Sequence, residues 1–486
     1  MKDSPLTATK TSLRLTADPS RVLARQFVPG NPGQVKQIVR RVGSMRPSAV
    51  ETTLREMKRS FGPRYKDIDR ILQSHYESVA GGLDRNGSLT GDQKQLIGAY
   101  FTMEYSLESV ALFNPSMVPH PDQTGLKPGE ARFILSLRAC GEGHISSIVF
   151  RSGVIHADLR ISLDPVSRYV FTEKPVADKL YEKYPFFLKL IEMGAYDNHA
   201  QAILNRLGDT FTIAVLEEVI AALDAESGAD PHFAESAEKL LWLAKSNYSL
   251  HFPSDIPLCE RVIFPVTEHE SRGIEDARFV RFTDEDGHRF YYATYTAYNG
   301  FTILPEIIET EDFQHFKIIT LNGRCVQNKG MAMFPRRVRG EYLMLARLDG
   351  ENLFLMNSDN RHFWNEATRL TWRRRPWEYV QVGNCGSPLE TEAGWLVLTH
   401  GVGPMRRYCL GALLLDHEDP SRVIGQLDRP LLEPNEQERD GYVPNVVYSC
   451  GGMIHGETLI LPYAVADTWS GVATVPLPEL LARLGG

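Results

Sequence analysis

The chain has 486 residues, of which 43% are hydrophobic and 23% are charged, and its formal net charge is −8. This composition is typical of a globular protein that is large enough to bury a sizeable core. The acidic balance argues against a nucleic-acid partner, because nucleic-acid binders usually have a basic domain. The six cysteines form no Cys-x-x-Cys pair or zinc-type Cys/His cluster, and no glycine fingerprint for a nucleotide is present. We therefore expect neither a metal nor an organic cofactor.

The sequence also gives no sign of a targeting or membrane segment. The N-terminus lacks the apolar region of a secretory signal, and no apolar run approaches the ~20 residues that span a bilayer. We expect a cytoplasmic protein with reduced cysteines and no membrane partner.

The first 112 residues are predicted to form an extended arm followed by helices. Residues 1–30 contain a short alternating stretch and a turn signal. Apolar residues then recur at helical spacing over 32–112, and the last helix is predicted to begin after Thr90 and to continue through Leu112. No chemistry is indicated in this region.

The apolar spacing changes to that of strands at residue 113. Strands are predicted at 132–138 and 145–151, with a glycine-rich turn between them. His144 follows this turn and could either reach a sugar or simply satisfy the strand end. Helical spacing returns over 175–250, which we interpret as a helical insertion.

Nearly every segment from 251 to 486 is typical of a short strand bounded by turn residues. Such regular short strands predict a sandwich, a barrel or a propeller, and the spacing does not choose among them.

One short segment, Gly-Ile-Glu-Asp-Ala-Arg at 273–278, stands out chemically. In a strand, Glu275 and Asp276 would point to opposite faces. Only one of them is then expected to face a given pocket, while the other would hold the loop through Arg278. A carboxylic acid in a partly dry aromatic cleft has a raised pKa and can act as a general acid. A local salt bridge in an Asp-Ala-Arg turn is the alternative.

This segment and several later ones resemble glycoside hydrolase family 130, the family of β-mannoside phosphorylases and β-1,2-mannosidases. The resemblance covers about residues 114–160 and 250–480. Its segments, in chain order, are 273–278, 291–300, 328–329, 334–335, 342–347, 394–396, 400–402, Tyr408, 411–416, 419–420, 443–447 and Asp467.

The resemblance implies a mainly β fold: a five-bladed β-propeller with an N-terminal helical region and a helical insertion. The implied division has four segments. They are an arm with helices at 1–112, the first propeller strands at 113–174, the insertion at 175–250, and the remainder of the propeller at 251–486. The additional helices would suit the interface of a homo-oligomer.

The activity that the resemblance implies is inverting phosphorolysis of β-1,2-linked mannooligosaccharides, which releases mannose 1-phosphate. Inorganic phosphate is then the co-substrate, no cofactor is needed, and Asp276 is the general acid. The residues implied to bind the sugar are Glu275, Arg278, Tyr295, Tyr298, His144, Asn445 and Asp467. The residues implied to bind phosphate are Lys329, Arg347, His400, Arg406, Arg407 and Tyr408.

Two departures from the family pattern keep a second activity open. Glu390 stands where the shorter phosphorylases carry a lysine, and Gly330 stands where an acid follows Asn-Lys. A hydrolase needs a second carboxylate to activate water, whereas a phosphorylase needs cations to hold phosphate. An inverting β-mannosidase with Glu390 as base is therefore the alternative, and a non-catalytic sugar-binding propeller is a third hypothesis.

Overall fold

The computed structural model describes residues 6–80, 83, 87–176, 180–227, 230–301 and 303–485. Within these ranges the chain is mainly β, with 28 strands and nine α-helices. Three of the four predicted segments, 1–112, 175–250 and 251–486, include residues outside these ranges. Among the described residues, no helix combines the length and apolar content that a bilayer span requires.

The N-terminal part is a small helical unit with its own core. Its elements are β1 (Thr9–Leu15), β2 (Val22–Gln26), α1 (Pro32–Gly43), α2 (Pro47–Phe61), α3 (Ile68–Ala80) and α4 (Gly91–Tyr100). Prolines in the first turns of α1 and α2 suit helix starts, because an N–H there has no partner within the helix. Thr90 and Gln93 form the predicted capping box of α4. Leu54 of α2 and Leu72 of α3 belong to the shared apolar cluster.

The predicted continuation of α4 to Leu112 is wrong. The helix ends at Tyr100, and β3 (Thr102–Ser106) then runs antiparallel to β2. The four-residue spacing of Phe101 and Tyr105 fits a strand as well as a helix, because four residues are two strand repeats and also nearly one helical turn. Pairing with the distant β2 decides between them.

The first large sheet follows directly. It contains, in order, β4 (Ala111–Pro119), β5 (Ala131–Cys140), β6 (Ser146–Ile155) and β7 (Ile161–Leu163). The predicted hairpin is present as β5 and β6, which pair antiparallel along their whole lengths. Nearly every residue of β4 is buried, so this strand has protein on both faces.

The helices predicted between 175 and 250 are also present. The elements are β8 (Tyr181–Glu182), α5 (Lys183–Glu192), α6 (Asn198–Arg206), β9 (Thr210–Phe211), α7 (Ile213–Ser227), α8 (Pro231–Ser246) and β10 (Tyr248–His251). Their apolar faces form a separate core that includes Leu190, Ile203, Leu216 and Leu240. The insertion therefore has a core of its own and joins the next sheet through β10.

That second sheet has the strand order β12, β13, β14, β15, β10. Its elements and the short strand before it are β11 (Val262–Ile263), β12 (Gly273–Thr283), β13 (Arg289–Tyr298), β14 (Ile303–Thr310) and β15 (His315–Thr320). A parallel pairing of Gly273 with Ser146 links β12 to β6, and β11 also pairs with β6. The first two sheets are thus one continuous ten-stranded sheet.

Three further antiparallel sheets complete the chain. The third contains β16 (Lys329–Met333), β17 (Tyr342–Arg347), β18 (Phe354–Ser358) and β19 (Glu366–Arg369). The fourth contains β20 (Gln381–Asn384), β21 (Leu389–Thr391), β22 (Gly394–Val402), β23 (Tyr408–Leu415) and β24 (Val423–Gln426). The fifth contains β25 (Val447–Tyr448), β26 (Met453–His455), β27 (Thr458–Val465) and β28 (Trp469–Pro476), and α9 (Leu477–Leu484) follows it.

The two ends of the chain meet in the fifth sheet. β1 pairs antiparallel with β28, with Thr9 opposite Thr474 and Leu15 opposite Ser470. The first strand of the arm is therefore the edge strand of the last sheet.

Candidate active site

The Glu-Asp motif lies in a β-bulge of β12. Glu275 pairs with Thr296 and Arg278 pairs with Thr294, so Asp276 and Ala277 face the single residue between those partners. Asp276 adopts a positive φ of 56°. The extra residue breaks the alternation of side chains, and the prediction that the two acids point to opposite faces is wrong.

Both acids contact the same arginine. Arg138 Nη2 donates to Glu275 Oε1 at 2.8 Å, and Arg138 Nη1 donates to Asp276 Oδ1 at 3.4 Å. Asn114 Nδ2 donates to the same oxygen of Asp276 at 2.6 Å. Lys329 Nζ donates to Glu275 Oε2 at 2.6 Å. Glu275 and Asp276, hereafter the acid pair, thus share one pocket with cations from two other strands.

The charges around Asp276 reverse the pKa shift expected from the sequence. Burial alone would raise the pKa of Asp276, but Arg138, Arg278, the Asn114 hydrogen bond and Lys329 outweigh it and hold the pKa below its ordinary value. The expected raised pKa belongs to Asp467 instead. Burial, together with the negative charges of Asp276 and Glu275, raises the pKa of Asp467 to about 6, against the opposing effect of Arg138.

Strained backbone surrounds these groups. Five Asn or Asp residues have φ between 50° and 63°, a region that residues other than glycine rarely adopt. They are Asn114, Asp276, Asn328, Asn445 and Asp467. Such conformations cost about 1–3 kcal/mol each and collect where a site must hold side chains in particular directions.

The cations predicted to hold phosphate begin beside the acid pair. Lys329 on β16 lies directly opposite Arg347 on β17 in the strand register, and we call these two residues the cation pair. Arg347 Nη1 donates to His400 Nε2 at 3.3 Å. His400 is buried, and burial together with the charges of Arg347 and Arg278 lowers its pKa well below the ordinary value. His400 is thus a neutral acceptor that orients Arg347.

The other residues predicted to bind phosphate lie in the turn after β22, the strand of His400, and at the start of β23. The Tyr408 ring stacks on His400, with ring centroids 6.0 Å apart. Arg406 is exposed, and Arg407 donates to the backbone oxygen of Pro434 and pairs with Glu433 at 3.3 Å. Arg407 is therefore already paired with an acid, whereas Arg406 is open to solvent.

Three of the residues predicted to bind sugar lie on loops or strand ends. Tyr298 ends β13 with Lys329 Nζ 5.8 Å from its ring centroid. The His144 ring stacks on Tyr442 at 5.6 Å, and the Asn445 side chain accepts a hydrogen bond from Arg439.

Two residues predicted to bind sugar instead have their polar groups hydrogen-bonded to other residues of the protein. Tyr295 is 3% exposed, and its hydroxyl bonds to Glu270 at 2.8 Å and to Glu306. Arg278 is 2% exposed; it donates to the backbone oxygen of Asn384 at 2.7 Å and to Tyr448 Oη at 2.6 Å. Arg278 thus does not hold the other acid of the motif, contrary to the prediction, but acts on Asp276 through its charge alone.

The structure contradicts Glu390 as a catalytic base. Glu390 accepts hydrogen bonds from Arg336 and pairs with His417 at 2.9 Å. It lines a cavity together with residues 279–283, the opposite end of β12 from Asp276. A base there cannot activate water at the acid pair.

Sequence reasoning missed Arg138 and Asn114. Arg138 is a charged residue in the mostly apolar stretch 133–140 of β5, and that interruption was a usable signal. Asn114 lies at a bulge between β4 and β5, which the sequence does not reveal. Among the described residues, no cluster of three His, Cys, Asp or Glu side chains is arranged to hold a metal ion.

Comparison with known proteins identifies relatives for this arrangement. A family model described as beta-1,4-mannooligosaccharide phosphorylase matches residues 243–484. A beta-1,2-mannobiose phosphorylase of Listeria innocua is 31% identical over 249 residues, which are 50% of this chain and 68% of that protein. A 1,2-beta-oligomannan phosphorylase of Thermoanaerobacter sp. is 34% identical over 224 residues, or 44% and 72% of the two chains. A solved structure of the Listeria enzyme with beta-1,2-mannobiose is 20% identical, with a TM-score of 0.45 over 77% of this chain and 92% of that chain.

A mainly β chain in which carboxylates lie beside cations fits the class of carbohydrate-active enzymes. The sequence matches identify one family within that class. The chain belongs to glycoside hydrolase family 130, and the relatives that show this membership are named as mannoside phosphorylases.

Proposed function

We propose that the protein cleaves β-1,2-linked mannooligosaccharides by inverting phosphorolysis and releases mannose 1-phosphate. The observation that carries this proposal is the contact between the acid pair and the cation pair. Lys329 Nζ lies 2.6 Å from Glu275 and Lys329 faces Arg347 across the strand register. Two relatives whose names specify β-1,2 mannosides support the choice of linkage.

Each group has a separate part in the proposed reaction. A phosphate oxygen forms a bond to the anomeric carbon while the bond to the leaving sugar breaks, and one proton reaches the leaving oxygen. The cation pair holds phosphate, which replaces the carboxylate of Glu275 as a partner of Lys329. Asp276 supplies the proton as general acid, because phosphate bound at the cation pair places negative charge beside Asp276 and so raises the pKa of its carboxyl. Asp467, with its pKa already raised to about 6, contacts the sugar beside it.

Water as the nucleophile has less support in this geometry. The base proposed for hydrolysis, Glu390, is bound to Arg336 in a different cavity. Phosphate needs no such base, because it is already an anion.

We propose a five-bladed β-propeller as the architecture around this site. The 310 Å³ cavity beside Glu390 supports it, because five segments, one from each sheet or the loop beside it, line that cavity: 117–119, 279–283, 335–336, 387–390 and 451–454. The first and last sheets also touch at β4, where Met117 N donates to Gly451 O at 3.1 Å. The helical segments at 1–112 and 175–250 are then additions to the propeller, suited to a homo-oligomer interface in a cytoplasmic enzyme.

The test is turnover of β-1,2-mannobiose and mannotriose with and without inorganic phosphate. We expect formation of mannose 1-phosphate that depends on added phosphate. The product should have the α configuration, because a single displacement by phosphate at a β-linked carbon inverts the anomeric centre. Asp276→Asn should lose at least ~100-fold in rate, whereas Asp440→Asn, a charge-matched change in an exposed loop, should not. Free mannose at the same rate without phosphate would overturn phosphorolysis.

A further inference from the structure

A further cavity lies in the helical insertion, away from the acid pair. Its volume is about 530 Å³, and it opens between α7, α8 and the segment 266–269. A cavity of this size is within the range of small-ligand sites. None of its lining residues also lines the small cavity at Asp276.

The walls of this insertion cavity combine an apolar face with a negatively charged rim. Phe233 and Trp242 contribute aromatic rings from α8. Among the described lining residues, three carry carboxylates at the rim, Asp224, Glu238 and Glu268, and one carries an ammonium, Lys245. The excess of negative charge disfavours phosphate, sugar phosphates and other anions. A neutral sugar fits both parts, because its C–H face packs on an aromatic ring and its hydroxyls donate to carboxylates.

A buried histidine adds a polar group with unused capacity. His269 is 2% exposed and lines the cavity, with its ring 4.9 Å from that of Trp242. Its Nε2 atom lies 3.3 Å from Glu306 Oε1, and neither ring nitrogen has a hydrogen bond of good geometry among the described residues. A buried ring nitrogen without a partner costs free energy, so His269 is an unsatisfied polar group in the wall of the cavity.

The segment that forms the cavity floor continues into the candidate active site. Glu270, next to His269, accepts hydrogen bonds from Tyr248 and Tyr295. Arg272 N then donates to Tyr298 O, and β12 begins at Gly273. The insertion cavity is therefore joined to the acid pair through a short, hydrogen-bonded stretch of chain.

We propose that the insertion cavity is a second, non-catalytic binding site for a neutral oligosaccharide, the β-mannooligosaccharide substrate itself. The identity of the sugar rests on the proposed function, whereas the class of ligand rests on the walls of the cavity. A second site of this kind retains a long substrate between successive cleavages by raising its effective concentration at the catalytic site.

The experiment counts binding sites on the full-length Asp276→Asn variant, which is not expected to turn over. Isothermal titration calorimetry with β-1,2-mannotetraose in phosphate-free buffer should give two sites per chain. Trp242→Ala in this background should weaken one of the two sites about tenfold or more and spare the other. Tyr184→Ala is the matched control, because this aromatic residue on α5 is 69% exposed and lies outside the cavity. It should retain both sites.

A gentler variant guards against misfolding of Trp242→Ala. Glu238 is an exposed residue on α8, so Glu238→Gln keeps the helix and should weaken the same site about threefold. A single site that neither variant affects would overturn the inference. Added mannose 1-phosphate that displaced sugar from the Trp242-dependent site would also overturn it.

Turnover assays of the wild-type enzyme separate this inference from the proposed function. If the enzyme carries out phosphorolysis but has only one binding site, the inference of a second site is refuted and the proposed function stands. A Trp242-dependent site in a protein that does not cleave β-mannosides supports the second site and sinks the proposed function. If the protein shows no turnover and no binding, both the second site and the proposed function are refuted.

Discussion

Replacing Asp467 with asparagine should stabilise the protein at neutral pH. The pKa of Asp467 is raised from 3.8 to about 6 in the folded protein, chiefly by burial and by the charge of Asp276. The folded state therefore binds this proton more tightly than the unfolded state does. A shift of about two pH units corresponds to ~3 kcal/mol, and screening of a partly exposed side chain reduces this to between about 1 and 3 kcal/mol.

The size of this stabilisation should depend on pH. Wild-type protein has the stabilising contribution of the neutral carboxyl below pH 3.8 and loses it as the pH rises through about 6. The side chain of asparagine is neutral at every pH, so the Asp467→Asn protein does not lose this contribution. The variant should therefore exceed wild type by the full amount at pH 8, and its advantage should shrink toward zero as the pH approaches 4.

Urea unfolding of both proteins at pH 8, 7, 6 and 5 measures this difference. Asp440→Asn, in an exposed loop, controls for the loss of one negative charge. Equal stability of Asp467→Asn and wild type at pH 8, or an advantage that stays constant down to pH 5, would refute the reasoning. The stabilised variant should also be a poorer enzyme, because strained and buried charges at active sites exchange stability for activity.

Three further predictions test the assignment of roles. Glu390→Gln should leave kcat within about twofold, because Glu390 is bound to Arg336 far from the acid pair; a loss of about 100-fold would restore it as the base. Arg347→Met should raise KM for phosphate at least ~10-fold, as expected for loss of a charge-assisted hydrogen bond, with a smaller change in KM for the mannoside. Arg138→Met should raise the pKa of Asp276, so the alkaline limb of the kcat/KM profile should move to higher pH; an unmoved limb would contradict Asp276 as the acid.

The sequence was sufficient for the elements with strong local signals. The capping box at Thr90 opens α4, the hairpin around residues 141–145 is present, and the helices of the insertion lie where their apolar spacing put them. These features depend on residues that are close together in the chain. The end of α4 was missed because a partner strand more than 70 residues away, β2, decides it.

The candidate site also depends on contacts between residues that are far apart in the chain, which the sequence alone does not reveal. A one-residue bulge places Glu275 and Asp276 against the same Arg138, whereas alternation alone separates them. The pKa of Asp276 then depends on charges from distant strands, which no local pattern contains. Tyr295 was expected at the sugar, but the buried carboxylate of Glu270 binds its hydroxyl.

The pairing of β1 with β28 has a consequence for how the enzyme is made. Thr11 Oγ1 donates to the backbone oxygen of Val472 at 2.8 Å, across 461 residues of chain. A ribosome adds roughly 5–20 residues per second, so the first strand waits for roughly 20–90 s before its partner emerges. An unpaired strand is an aggregation hazard during such a wait, and the charges of Lys10 and Arg14 within β1 reduce that hazard. The last sheet therefore cannot be completed until residues 469–476 have been synthesised, and β1 stays unpaired until then.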